Sequence, residues 1–277
     1  MTQQERAARY LAKLPAAVAG QGGSATGWRP GYVGGKGQDG VWQRIIGQMP
    51  PHSIYVEAFA GSAAIFFHKR PAARSILIDR SASVLTQLAA SAPAHGDGQS
   101  VEVIQVDALD WLLKTRLPAD ALIYCDPPYL LNTRSGRRYY NHELTGPDHL
   151  DLLRTLRRLN CRVLISGYPS GLYASSLHDW RCLSYRCRTR GRTVTECLWM
   201  NFPEPTELHD WRFAGRNFRE RLALRRLAAR WLARLQAMPP RKRGYVWNAL
   251  TDPETPEPAR PDRVVPVLAT MTAGLNL

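Results

Sequence analysis

Long apolar runs are absent. No stretch of eighteen consecutive apolar residues occurs, so no membrane-spanning helix is expected. The opening segment MTQQERAARYLAKL is polar and charged and lacks the apolar core of a secretion signal. Cysteine is sparse and irregular, at 125, 161, 182, 187 and 197. An odd, scattered set argues against a disulfide framework and for a reducing, cytoplasmic setting. Cys182 and Cys187 are too far apart for a CxxC pair and no second pair follows, so no metal is expected. G-x-G-x-x-G and Walker spacings are missing too, which disfavours a dinucleotide or nucleoside-triphosphate site. Acid is also short: 23 Asp and Glu stand against 37 Lys and Arg, for a formal charge of +14. A balance this basic suits a polyanionic partner, although ribosomal and membrane-surface proteins share it.

What is present is an alternation of apolar runs and helical patterns. Strands are predicted at Ser53–Glu57, Ser75–Asp79, Val101–Val106, Ala121–Cys125 and Arg162–Ser166. Helices are predicted within Ala60–Lys69 and at Ala82–Ala90, Ala108–Lys114 and Asp148–Leu159. This order argues for an α/β, Rossmann-like fold, a mostly parallel sheet with helices on both faces. Cys182–Thr189 and Thr193–Phe202 read as an antiparallel hairpin around Arg190-Gly191-Arg192. Around this core, 1–30 reads as an N-terminal helix (residues 2–14) and loop, 31–202 as the catalytic domain and 203–210 as a linker. Residues 211–250 read as a basic helical extension with a long helix at 215–237, and 251–277 as a Pro-rich tail.

The sharpest chemical signal is Asp126-Pro127-Pro128-Tyr129, directly after the apolar run Leu122–Cys125. Ligands of open parallel sheets bind where strands end at their carboxyl edge. The exocyclic amine of adenine is a poor nucleophile because its lone pair is delocalised into the ring. Acceptors holding both amine hydrogens favour the pyramidal, more nucleophilic form. Asp126 supplies one acceptor and the Pro127 carbonyl another, held rigid because prolines fix φ. Tyr129 can stack on the base, which must first be flipped from a duplex.

Three further signals precede it. Tyr55–Ala63 reads as a strand ending in a small-residue turn, where Gly61 lets a cofactor approach the backbone; a plain strand-to-helix turn reads the same way. Ile76-Leu77-Ile78-Asp79 puts an acid at a strand tip, as a ribose ligand or as the cap of the next helix, each role excluding the other in one conformer. Gly31-Tyr32-Val33-Gly34-Gly35-Lys36 is a flexible loop ending in a cation.

In this order the four segments resemble the Dam-like, alpha-class adenine DNA methyltransferases, with an aromatic-x-G-G-K segment, then E-P-F-x-G-x-G, an acidic strand end and DPPY. The resemblance runs over roughly residues 31–202 and includes D-H-x-x-L at Asp148–Leu152 and E-x-L-W-x-N-F at Glu196–Phe202. It implies S-adenosyl-L-methionine as cofactor and duplex DNA with a flipped adenine as substrate. Tyr32, Lys36, Asp79 and Asp126 would lie on or around the cofactor, with Phe59 and Gly61 shaping its pocket. Ala58 and Ala63 depart from the family's proline and second glycine. Only nineteen residues separate Val106 from Asp126, too few for the family's target-recognition insertion, so low sequence specificity is expected.

Basic segments stand in its place. Between Trp211 and Arg243 there are ten Arg and one Lys against the single acid Glu220. Helical spacing gathers Arg216, Arg219, Arg226, Arg230 and Arg234 on one side and Leu224, Leu227, Ala228, Trp231 and Leu235 on the other, so an apolar seam is expected to dock the helix. Arg134, Arg137, Arg138, Tyr139 and Tyr140 follow DPPY, and Arg190 and Arg192 cap the hairpin. Arginines among aromatics suit phosphate grip and base stacking. Two other readings stand beside the DNA one. One is an RNA base-amine methyltransferase, since some rRNA guanine enzymes carry F-A-G-S-G and DPP-aromatic segments. The other is a nucleic-acid-binding protein with a decayed catalytic core.

Overall fold

Apolar runs rich in β-branched and aromatic residues build a seven-stranded sheet in the computed structural model, which describes residues 36–37, 40–91, 99–134, 142–189 and 192–251. The strands are β1 (Ile54–Ala58), β2 (Arg74–Asp79), β3 (Ser100–Gln105), β4 (Leu122–Cys125), β5 (Arg162–Gly167), β6 (Arg181–Thr189) and β7 (Arg192–Met200). Their order is β3-β2-β1-β4-β5-β7-β6. The first five are parallel, and β7 runs antiparallel between β5 and β6. The strand order reverses between β1 and β4, the switch point beside which open sheets of this kind bind ligands.

The helices are α1 (Val41–Ile46), α2 (Ala64–His68), α3 (Ala82–Ser91), α4 (Ala108–Lys114), α5 (Gly146–Arg157), α6 (Gly171–Ser176), α7 (Phe218–Gln236) and α8 (Pro240–Thr251). Residues of α1, α2 and α3, such as Ile45, Ile65 and Leu88, pack on Tyr55, Tyr124 and Leu164 of one sheet face. Residues of α4, α5 and α6, such as Leu112, Leu152 and Tyr173, pack on Val56, Ile123 and Val163 of the other. All four residues of β4 are buried, so the acid that follows leaves the sheet from its core.

Local chemistry sets the element ends. Thr145 and Asp148 form a reciprocal capping box, so α5 begins at Gly146, two residues before its sequence-predicted start. Asp107 caps α4 by accepting from the Asp110 amide. The helices α1 and α6 lack a long periodic pattern and are not expected from the sequence, whereas α8 falls within the helical extension read at 211–250. Tertiary contacts hold the first two: Ile45 and Ile46 are fully buried and Tyr173 is 2% exposed.

The chain forms two compact units, 1–225 and 226–277, which divide within α7. In the first unit, His209 donates its amide to the Met49 carbonyl at 2.9 Å, and the Asp210 carboxylate accepts from the Arg70 amide at 2.9 Å. Leu224, Leu227 and Trp231, three of the residues expected to form an apolar seam, are 45, 42 and 56% exposed. No helix among the described residues is long and apolar enough to cross a membrane.

Candidate active site

The loop leaving β1 turns sharply. Phe59, Gly61 and Ala63 all have left-handed backbones, at φ 63°, 51° and 48°. For Phe and Ala this conformation is strained, and such strain persists only where neighbours enforce it. Two carboxylates do so. Glu57, 3% exposed within β1, accepts on Oε2 from the Tyr55 hydroxyl at 2.8 Å and the Phe66 amide at 2.9 Å. It thereby ties the strand to the first turn of α2. Asp79, at the tip of β2, accepts the Gly61 amide on Oδ2 and the Ser81 amide on Oδ1, both at 2.9 Å. One carboxylate thus braces the β1 loop and the entry to α3 in a single conformer, and each oxygen keeps a second lone pair for a ligand hydroxyl. Ser81 precedes α3, so this contact holds the turn before the helix rather than capping an amide of the helix itself.

The second group surrounds the segment after β4. Lys36 is 7% exposed, and its ammonium lies 3.0 Å from Asp126 Oδ1 and 3.3 Å from Glu196 Oε2. It also donates to the Tyr129 hydroxyl. Tyr185, directly opposite Glu196 in the β6–β7 ladder, donates its hydroxyl to the same Oε2 at 3.2 Å. Tyr129 meets Tyr168 edge-on at 4.7 Å, giving an aromatic wall. Burial pushes the Asp126 carboxyl up to about 6; Lys36 opposes that rise and Glu196 adds to it. Burial acts to lower the Lys36 ammonium, yet Asp126 and Glu196 outweigh it and hold its pKa well above the usual lysine range. Beneath the proline turn, His149 is fully buried. Its Nδ1 lies 3.0 Å from the Tyr173 hydroxyl. Its Nε2 makes no well-formed hydrogen bond, and the Pro128 carbonyl is the backbone acceptor beside the ring. Burial lowers the imidazole to about 4, so it is neutral at physiological pH.

Of the residues singled out from the sequence, Lys36, Asp126 and Tyr129 are brought together, as are Gly61 and Asp79. Arg134 is drawn away from the solvent role expected of it, into a buried bidentate pair with Glu143, the two side chains 7% and 10% exposed. Arg192, Arg219, Arg226, Arg230 and Arg234 are exposed. Tyr32, Arg137, Arg138, Tyr139, Tyr140 and Arg190 lie outside the described residues, as do the helix expected at 2–14 and nearly all of the Pro-rich tail. Glu57, Tyr185, Glu196 and His149 were given no role from sequence. Glu57, Glu196 and His149 stand inside quoted motifs, so position within a motif was their available signal; Tyr185 gave none.

A mostly parallel sheet in this order, with its antiparallel strand next to last, is an α/β, Rossmann-like fold. A carboxylate with spare acceptors beside a glycine turn can accept from the hydroxyls of a ligand such as a ribose. Residues 42–139 match the family model described as "Conserved hypothetical protein 95". No curated protein matches the chain. Among solved structures the chain is similar to an rRNA methylase from Streptococcus thermophilus, at 14% identity over 57% of this chain and 90% of that one, with a TM-score of 0.36. It is also similar to magnesium protoporphyrin IX methyltransferase from Synechocystis with bound cofactor, at 13% identity over 58% and 75%, with a TM-score of 0.39.

Proposed function

We propose that the protein transfers a methyl group from S-adenosyl-L-methionine to the exocyclic amine of a nucleic-acid base, with adenine of DNA as the first substrate to test. The reading is carried by the juxtaposition at the switch point. A lysine-paired carboxylate, Asp126, a rigid Pro-Pro turn and Tyr129 stand at the end of β4, beside the braced β1 loop. The sulfonium supplies an activated methyl, so the protein's task is to make the amine nucleophilic. Asp126 and the Pro127 carbonyl accept its two hydrogens, and Tyr129 and Tyr168 offer faces for the extruded base. Asp126 is then placed to take the proton that the methylated amine sheds. Phe59, Gly61 and Asp79 would hold the cofactor, with Tyr32 near it.

The exposed Arg192, Arg219, Arg226, Arg230 and Arg234, with Arg137, Arg138, Tyr139 and Arg190 as further candidates, would grip phosphates rather than read bases. Between β3 and Asp126 the described chain holds only α4 and β4, so a reader of several base pairs has no room there. One observation favours a second reading, methylation of an RNA base: Phe59-Ala60-Gly61-Ser62-Ala63 differs by one residue from the F-A-G-S-G of some rRNA guanine enzymes. Purified protein offered duplex DNA and rRNA with labelled cofactor separates the two, and mapping the product base identifies the target. Label in DNA adenine is expected; label in RNA alone selects the second reading, and label in neither, with cofactor bound, sinks both.

A further inference from the structure

We propose that Glu196 is a positioning residue for methyl transfer: it takes a share of the Lys36 ammonium, so that Asp126 is left able to accept the hydrogens, and then the proton, of the target amine. The role rests on the methyl-transfer reading above, but on a residue outside the Asp-Pro-Pro-Tyr segment. The register of the hairpin brings Glu196 to the site. Pairing of β5 with β7 ends at Gly167 and Cys197, and Glu196 is the next residue out, at the carboxyl edge of the sheet where Asp126 follows Cys125. Lys36 stands in neither a helix nor a strand, whereas Glu196 is held in the β6–β7 ladder opposite Tyr185. Its Oε2 accepts the Tyr185 hydroxyl at 3.2 Å and lies 3.3 Å from the Lys36 ammonium. Asp126 Oδ1 lies 3.0 Å from the same ammonium. The Lys36 and Glu196 side chains are 8% and 9% exposed, so their contact is screened far less than a surface pair.

Two ionised acids around one cation leave one negative charge over among these three groups. A carboxylate alone with an ammonium is held below its usual range and is a weak base. A second acid on the same ammonium reverses part of that effect. Burial raises Asp126, Lys36 opposes the rise and Glu196 adds to it. An amine nitrogen that has gained a methyl is cationic until a proton leaves it. Asp126 takes that proton and becomes neutral, so the charges balance without a further reactant. The surplus negative charge of the three groups favours the positive charge that develops on the nitrogen. Tyr185 sets the share, because its hydroxyl competes with Lys36 for Glu196 Oε2. The other ionisable groups within electrostatic range of Asp126 among the described residues are Tyr55 and Glu57 of β1, Tyr124 and Cys125 of β4, Tyr129, Tyr173 and Tyr185. Burial raises each of them, Glu57 to about 8, so they stay mostly uncharged through the range in which Asp126 titrates.

The test uses the full-length protein in two arms. First, the Asp126 carboxyl carbon is followed by carbon-13 NMR against pH, its signal assigned with Asp126→Asn. Glu196→Gln keeps the shape and loses the charge, and should move the titration down by about one pH unit. Tyr185→Phe keeps the ring and leaves Oε2 to Lys36, and should move it up. A titration at or above the wild-type pH in Glu196→Gln, or at or below it in Tyr185→Phe, overturns the shared ammonium. The tyrosine variant decides alone if Glu196→Gln does not fold. A Glu196 that only supports the hairpin would leave the titration in place. Second, kcat/KM for methyl transfer to nucleic acid is measured over the same range. Its acid limb should follow the carboxyl in each variant, with kcat of Glu196→Gln lower by roughly tenfold, the worth of one pKa unit, and cofactor affinity unchanged. A limb that stays put while the carboxyl moves overturns the role in transfer. If the carboxyl moves as expected while no nucleic acid is methylated, the shared ammonium stands and the proposed activity falls.

Discussion

Lys36 lies 3.0 Å from Asp126, so the cation that ends the glycine-rich sequence segment pairs with the carboxylate that follows β4. The two acids around this lysine, Asp126 and Glu196, come from different ends of the domain and would repel each other without it. The arrangement keeps an acid poised beside the ring pair of Tyr129 and Tyr168, and its consequences are measurable.

Asp126→Ala should lower methyl transfer at least ~100-fold while the protein stays folded, comparable to removing one preorganised electrostatic partner. The carboxylate must be ionised to accept the amine hydrogens. Its pKa is raised to about 6, so kcat/KM should rise with pH through about 6 and level off above it. Lys36 opposes the rise, so Lys36→Met should move this limb to higher pH. A flat profile between pH 5 and 7 would remove Asp126 from the rate-determining chemistry.

Asp79→Ala should weaken cofactor binding by roughly tenfold or more, since hydrogen bonds to a charged acceptor are worth ~1.5–3 kcal/mol each. It should also lower the melting temperature, because the Gly61 and Ser81 amides lose their acceptor. Calorimetry on Asp79→Asn, which keeps one acceptor oxygen, should fall between the two. Unchanged affinity in both variants would leave Asp79 as a loop brace alone.

His149 should act as a positioning residue for the Pro-Pro turn. His149→Leu should cut kcat with little change in cofactor affinity, and His149→Gln, which restores a donor toward the Pro128 carbonyl, should recover part of it. Nitrogen-15 spectra of the imidazole should show one neutral tautomer from pH 5 to 8, since burial holds its pKa at about 4. If Leu and Gln variants lose the same activity, the residue only fills space.

Glu57 should make stability fall with rising pH. Burial lifts its carboxyl to about 8, so the folded state binds this proton more tightly than the unfolded chain does. The contribution is complete below the unfolded pKa of ~4.3 and is lost as pH rises to about 8. Glu57→Gln imitates the protonated acid and keeps an acceptor for Tyr55 and the Phe66 amide. Comparing urea midpoints of the two proteins across pH 4.5–8.5 should show a gap that shifts in favour of Gln as pH rises. A constant gap would mean that Glu57 is ionised throughout.

The sequence by itself determined the alternation of strands and helices and the strand-end positions of Asp79 and Asp126. Apolar periodicity and the Pro-Pro turn are local signals, and burial on both faces writes β4 as an unbroken apolar run. Short helices such as α1 and α6 carry too few residues to show a period, and only packing on the sheet forms them. The partners of each charge were decided by tertiary structure. Composition marks Arg134 and Arg221 as two basic residues among many, yet the fold buries the first against Glu143 and the second among like charges. The union of Lys36, Asp126, Tyr185 and Glu196 likewise depends on strand order and hairpin register, which bring distant segments to one sheet edge. Electrostatic pairing acts through space over a few ångströms, whereas a sequence records separation along the chain.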